Sequence, residues 1–86
     1  KAFADAEAPL LRAAELAPRD SGTLQVLVRL YLAWNRPGAA VPHLAAVLEA
    51  SRDEAALELL KRVRKAAHGA IPAGDPLHEE LRKLAA

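Results

Sequence analysis

Few side chains in this sequence have the chemistry for catalysis or metal binding, and their spacing keeps them apart. No two of the three histidines, His43, His68 and His78, are three or four residues apart, so no pair shares a helical face as a metal site needs. Cysteine is absent, which excludes a thiolate zinc site and a cysteine nucleophile. The sequence therefore predicts exposed histidines, with no metal and no cofactor.

The hydroxyl and carboxyl groups also favour structural roles. Ser21 and Ser51 stand where helices should begin, so we expect them to cap helices rather than to act as nucleophiles. Glu79 and Glu80 are adjacent, and adjacent residues of a helix point in different directions, so they do not form an acid–base pair. The four glycines are scattered and form no phosphate-binding loop. We predict that the protein is not an enzyme.

The densest run of charge is basic and consists of Lys61, Arg62, Arg64 and Lys65. At 100° per residue these side chains spread over more than one face of a helix. The simpler interpretation is a solvated face with ion pairs such as Glu58 to Arg62, and the alternative is a patch for an acidic partner. Nucleic acid is disfavoured because no aromatic residues are interleaved with the cations.

The single tryptophan, Trp34, ends a predicted helix and precedes the turn residue Asn35. The simpler interpretation is that its ring packs the loop of a helical hairpin. The alternative is an exposed anchor for a partner, because tryptophan is enriched where binding energy is concentrated.

Composition places all these residues on helices. The sequence contains 21 Ala and 15 Leu but only seven β-branched residues and three aromatic ones, which nearly rules out a sheet protein. The 12 cations and 11 acids give a formal charge of +1, so there is no electrostatic reason to expect nucleic acid or an anionic membrane as a partner. No apolar run is long enough to insert into a membrane.

Length and sequence ends bear on organisation. The 86 residues fit a single domain over 1–86. Methionine is absent even at position 1, so we expect a processed chain or, preferably, a fragment of a longer repeat protein. The compartment stays open, with the cytoplasm favoured, because no secretory signal pattern is visible.

Proline, glycine and capping residues divide the chain into five helical segments. The predicted helices span residues 6–17, 22–33, 39–50, 52–67 and 76 to the C-terminus. The expected N-caps are Asp5, Asp20 or Ser21, Ser51 in a capping box with Glu54, and Asp75. Pro9 and Pro42 are expected in first turns, and Gly69 is expected to end the fourth helix. Short connections predict that consecutive helices are antiparallel neighbours.

An internal repeat of 34 residues is visible. Ala6, Leu10 and Ala13 recur as Ala40, Leu44 and Val47, with Leu24, Leu27 and Tyr31 between them. This pattern resembles the tetratricopeptide repeat (TPR) family, whose 34-residue unit is a helical hairpin. Residues 21–54 match one unit: Leu24, Leu27 and Tyr31 stand at the family's Trp, Leu and Tyr positions, and Ala40, Leu44 and Val47 at its Ala, Phe and Ala positions. Val28 and Arg52 depart from its Gly and Pro.

The flanking segments resemble incomplete units. Residues 1–20 resemble the second half of an earlier unit, and residues 54–69 resemble the first helix of a later one. In the later unit, Leu57, Leu60 and Arg64 take the Trp, Leu and Tyr positions. The last helix resembles a terminal capping helix, and the ending is also similar to the repeat region of thioredoxin-like co-chaperones. The resemblance implies an all-α fold of five helices, with antiparallel hairpins stacked as a short TPR-type α-solenoid.

The resemblance also implies a concave groove that holds a peptide or a helix. The implied groove residues are Gln25, Arg29 and Leu32 on one helix and Glu58, Arg62 and Lys65 on another. The family's carboxylate clamp has Lys where this chain has Gln25 and Glu58, so we do not expect that clamp. We expect a non-catalytic protein-interaction scaffold for a protein or peptide partner, an acidic one among the options. The alternative is a self-association module, because the first helix should expose Leu10 and Ala14.

Overall fold

The computed structural model describes residues 2–17 and 20–85, and within these residues the protein is all-helical, as predicted. It has five α-helices and no strand in this part of the chain. The helices are α1 (Ala2–Leu16), α2 (Ser21–Ala33), α3 (Pro37–Ala50), α4 (Glu54–Ala70) and α5 (Pro76–Ala85). The predicted stop at Pro18 lies outside the described residues.

The start of α1 differs from the prediction. The helix begins at Ala2, so Asp5 lies inside its first turn instead of capping it, and Pro9 lies in the helix interior. Contacts with α2 explain the extra turn: the Phe3 ring stacks on Trp34 with 5.9 Å between centroids, and Glu7 accepts a hydrogen bond from Tyr31. Packing of this kind stabilises a helix end that local sequence signals do not require.

The turn between α2 and α3 is shorter than predicted because Asn35 adopts φ 60°, the left-handed region that Asn tolerates. The Arg36 N–H donates to the Tyr31 carbonyl at 2.8 Å, and the Asn35 N–H donates to the Leu32 carbonyl at 3.1 Å. These two bonds form a Schellman motif, which satisfies the last carbonyls of α2. α3 therefore begins at Pro37, and Pro42 lies inside the helix rather than in its first turn.

The caps of the other helices are partly as predicted. Asp20 and Asp75 accept hydrogen bonds from the amides two residues on, at 3.2 and 2.9 Å, so both expected caps are confirmed. The Ser51 capping box is wrong: Ser51 ends α3, and Asp53 caps α4 by accepting from the Ala56 amide at 2.9 Å. Gly69 lies within the last turn of α4 instead of capping it.

Side-chain contacts fix the helix directions. Phe3 meets Trp34 and Glu7 meets Tyr31, so α1 and α2 are antiparallel. A Cβ on Gly38 would lie 3.1 Å from Leu77 Cδ1, which places the start of α5 beside the start of α3. The Arg52 guanidinium, just beyond the end of α3, donates to the Leu84 carbonyl at 2.8 Å near the end of α5. α3 and α5 therefore run in the same direction.

The core lies between α2, α3 and α4. Its most completely buried large side chains are Leu27, Val28, Val41, Leu44, Val47 and Val63. Ala40 is fully buried as well, and a small residue at that position allows close approach of two helices. α5 adds one buried residue, Leu81, whereas the described residues of α1 contribute only partly buried side chains such as Leu10, Leu11 and Ala14.

Candidate functional site

The three groove residues predicted on α2 lie beside its buried stripe. Arg29 is exposed, whereas Gln25 and Leu32 are half-buried. At 100° per residue, Gln25 and Leu32 lie about 180° round the helix from Leu30 and Trp34, whose side faces α1 through the Trp34–Phe3 stack. They are therefore on the flank of α2 that faces away from α1.

The three groove residues predicted on α4, Glu58, Arg62 and Lys65, are all exposed. α2 and α4 are in direct contact, so the two helices are neighbours as a shared surface requires. Among the described residues, no hydrogen bond or ion pair joins any of the six predicted groove residues to one another. The ion pair expected between Glu58 and Arg62 is not formed.

The burial pattern of α4 corrects the register in which it was compared with α2. α2 buries Leu24, Leu27, Val28 and Tyr31, and α4 buries Ala56, Leu59, Leu60 and Val63 at the same spacing of three, four and seven residues. The predicted equivalents Leu57 and Arg64 are exposed instead. The flank of α4 that corresponds to Gln25, Arg29 and Leu32 therefore carries Leu57, Lys61 and Arg64.

Trp34 packs the hairpin loop, as the simpler interpretation predicted. Its ring stacks between Phe3 at 5.9 Å and Tyr31 at 6.2 Å, and the Arg36 guanidinium lies 4.3 Å from its centroid. Tyr31 also stacks on His43 at 5.7 Å. The cluster joins α1, α2 and α3, so all three aromatic residues of the chain serve packing.

Two titratable groups of this cluster are perturbed. Burial, together with the hydrogen bond to Glu7 at 2.7 Å, raises the pKa of Tyr31 to about 12. Burial lowers the pKa of His43, because desolvation disfavours the imidazolium form. His43 is thus half-buried and not exposed, contrary to the prediction.

A cleft of about 420 Å³ lies between α4 and α5 and was not predicted as a unit. It is lined by Arg64, Lys65, His68, His78, Leu81 and Arg82. The His78 ring nitrogen Nε2 lies 3.0 Å from the Ile71 carbonyl, a distance at which an N–H donates to it, and the Arg82 guanidinium pairs with Glu79. A smaller cavity of about 290 Å³ shares His68 and His78 with the cleft. Pairing α4 and α5 antiparallel about residue 73 sets Arg64 opposite Arg82, a signal that could have found the cleft.

Other kinds of site have no support in residues 2–17 and 20–85. No group of three or more His, Asp or Glu side chains in that part of the chain could hold a metal ion. None of the helices described there combines the length and apolarity that crossing a membrane requires. No protein-family model matches the chain, and comparisons with curated proteins and with solved structures give no match.

Proposed function

We propose that this chain is part of a TPR-like α-solenoid that serves as a non-catalytic scaffold for protein interactions. The observation that carries the proposal is the repeated burial pattern of α2 and α4, in which Leu24 corresponds to Ala56 and Tyr31 to Val63. In a stacked helical repeat, equivalent helices of successive units bury side chains at equivalent positions. The matching burial patterns of α2 and α4 meet this requirement.

The helix directions support the same arrangement. α3 and α5 are parallel and in contact. α2 and α4 are also in contact, and the short loops that join each of them to α3 favour antiparallel packing against it, which makes α2 and α4 parallel to each other. First helices lie beside first helices and second helices beside second helices in a solenoid of hairpins. Fully buried Ala40 stands where the small residue of a TPR unit would lie, at the crossing of two helices.

The proposed binding surface, called the α2–α4 face here, combines Gln25, Arg29 and Leu32 with Leu57, Lys61 and Arg64. Two of its side chains are apolar, Leu32 and Leu57, and Leu57 is 40% exposed. Three are basic, Arg29, Lys61 and Arg64. A guanidinium accepts a carboxylate in two parallel hydrogen bonds, and apolar neighbours favour a partner with apolar residues. The occupant is therefore a peptide or a helix with both acidic and apolar side chains.

Peptides selected from a random library can test this proposal. We expect selected peptides to bind at least tenfold more weakly to Arg29→Glu and Lys61→Glu variants, with helicity unchanged by circular dichroism. Arg62→Glu is the matched control, because it makes the same charge change one residue away, about 100° round α4. Equal weakening by Arg62→Glu and Lys61→Glu would contradict the corrected register, and peptides indifferent to all three would contradict the α2–α4 face.

Self-association is a second candidate, and one observation favours it. Leu16 at the end of α1 is 82% exposed, and α1 contacts no described helix other than α2. Leu10 and Ala14, which were expected to be exposed, are half-buried against the core, so the apolar surface is smaller than predicted. Sedimentation equilibrium should show a dimer that Leu16→Glu dissociates and Val26→Glu does not. A monomer at all concentrations would exclude this candidate.

A further inference from the structure

The cleft between α4 and α5 gathers charges of one sign. Three of its lining residues are basic, Arg64, Lys65 and Arg82, two are histidines, and none is acidic. Glu79 lies outside the lining and pairs with Arg82 alone. A cleft lined by one sign of charge concentrates the electrostatic field and attracts ions of the opposite sign.

Folding does not require this arrangement. Cations near a helix C-terminus are favoured by the helix dipole, but that effect is confined to the last turn, and Arg64 and Lys65 precede the last turn of α4. No acidic residue occurs between Glu58 and Asp75, so α4 itself offers no nearby partner to either. Among the described residues, the one ion pair made by these three cations is that of Arg82 with Glu79, so the cleft keeps an excess of positive charge that an anion would offset.

We propose that the α4–α5 cleft binds an acidic polypeptide segment that presents two adjacent carboxylates. Arg64 and Arg82 supply planar donors for bidentate contacts, and Lys65 adds a third charge. Leu81, 3% exposed, gives the cleft an apolar floor that suits the methylene groups of glutamate side chains. The cleft volume of about 420 Å³ accommodates side chains and not a folded element.

The remaining residues argue against the other polyanions. Nucleic acid binding without sequence readout uses aromatic side chains as stacking platforms, and none of the cleft residues is Phe, Tyr or Trp. A site that binds a membrane surface would have exposed apolar side chains next to its cations. The large exposed apolar residues described are Leu16, Val26 and Leu57, and none of them lines the cleft.

The cleft is separable from the α2–α4 face, although Arg64 belongs to both. Lys65, His68 and all the cleft residues of α5 lie outside that face. A variant of Lys65 and Arg82 therefore tests the cleft, and a variant of Arg29 tests the face. The two proposals can fail independently.

The test is fluorescence anisotropy with a labelled peptide that carries two adjacent glutamates in a glycine-serine sequence. We expect saturable binding that weakens at least tenfold in Lys65→Gln/Arg82→Gln and less than twofold in Arg62→Gln/Lys83→Gln. The two double variants each remove one Lys and one Arg from the same two helices, but Arg62 and Lys83 line neither the cleft nor the α2–α4 face. Backbone amide NMR shifts on peptide addition should centre on His68 and His78.

Three results would overturn the proposal. They are equal weakening in the two double variants, equal binding of a peptide with glutamines in place of the glutamates, and the absence of saturable binding. Single-stranded DNA and vesicles rich in phosphatidylserine serve as competing ligands. If either binds more tightly than the peptide, and this binding is lost in Lys65→Gln/Arg82→Gln, the cleft binds another polyanion and the proposal is wrong. Thermal unfolding of both variants shows whether either has lost its fold.

Discussion

The two terminal helices, α1 and α5, both pack on the core formed by α2, α3 and α4, but different chemistry attaches them. α5 buries Leu81 in the core, with 3% of the residue exposed, and the side chain of its Leu77 lies against Gly38 of α3. α1 has no fully buried residue among those described, and it is held by the Phe3–Trp34 stack and the Tyr31–Glu7 hydrogen bond. Apolar burial depends little on pH, whereas a hydrogen bond to a carboxylate does. The two helices should therefore respond differently to truncation and to pH.

Truncation of Leu81 should have the largest effect. Leu81→Ala removes the buried side chain of α5 and leaves a cavity, so we expect a loss of about 3 kcal/mol in the free energy of unfolding. Leu84→Ala, which truncates a half-buried residue of the same helix, should cost less than half as much. Urea unfolding followed by circular dichroism measures both. Equal losses at the two positions would mean that burial of Leu81 does not hold α5 in place.

Alkaline pH should loosen α1 and leave the attachment of α5 intact. The pKa of Tyr31 is raised to about 12 from 10, so the neutral phenol contributes stability that is complete below pH 10 and lost as pH rises toward 12. Tyr31→Phe should cost about 1 kcal/mol at pH 7, through loss of the hydrogen bond to Glu7, and should remove this pH dependence.

Urea midpoints of the protein and of Tyr31→Phe, measured from pH 7 to 11.5, provide the comparison. A pH effect that does not involve Tyr31 is common to both proteins, so the difference between the two curves reports on Tyr31. Parallel curves would show that the Tyr31–Glu7 contact does not hold α1 against α2.

Each terminal helix has an Asp near its N-terminus, Asp5 in α1 and Asp75 before α5, which allows a matched pair of substitutions. Asp75→Ala removes the side chain that accepts from the Leu77 amide at 2.9 Å, and should cost about 1 kcal/mol. Asp5→Ala removes an acidic residue that lies inside the first turn of α1, where its interaction with the helix dipole is worth a few tenths of a kcal/mol. A cost at Asp5 as large as that at Asp75 would indicate that Asp5 caps α1 after all.

Some of these features could be predicted from sequence because their causes are local. The caps at Asp20 and Asp75 involve amides two residues away, so a short window contains both partners. Between α3 and α4 the same reasoning chose Ser51, but α4 begins two residues later than predicted, so Asp53 is the residue that caps it. The turn at Asn35 was located correctly, but its left-handed conformation shortens the loop and lengthens α3.

The register of α4 and the α4–α5 cleft could not be predicted in the same way. Ala56 and Leu57 each begin an apolar stripe in the sequence, and contact with α2 and α3 decides that Ala56 is buried. Alanine at the first position of the buried stripe is too small to be distinguished as a core residue from the sequence. The cleft combines side chains from two helices, so it becomes visible once the antiparallel pairing of α4 and α5 is applied to charges and not only to apolar residues.

The smallest expected effect concerns His43, which extends the aromatic cluster into α3. Burial lowers its pKa, so the unfolded chain takes up a proton more readily than the folded protein. This contribution to stability is complete above pH 6.5 and declines as pH falls through the lowered pKa.

The test is the His43→Gln variant. Its stability to urea, measured as the unfolding midpoint, should decline less between pH 7 and pH 5 than that of the unaltered protein. A pH effect that does not involve His43 is common to both proteins, so the difference between them isolates His43. An unchanged decline would place the imidazole in water, and the stack on Tyr31 at 5.7 Å would then not shield it from solvent.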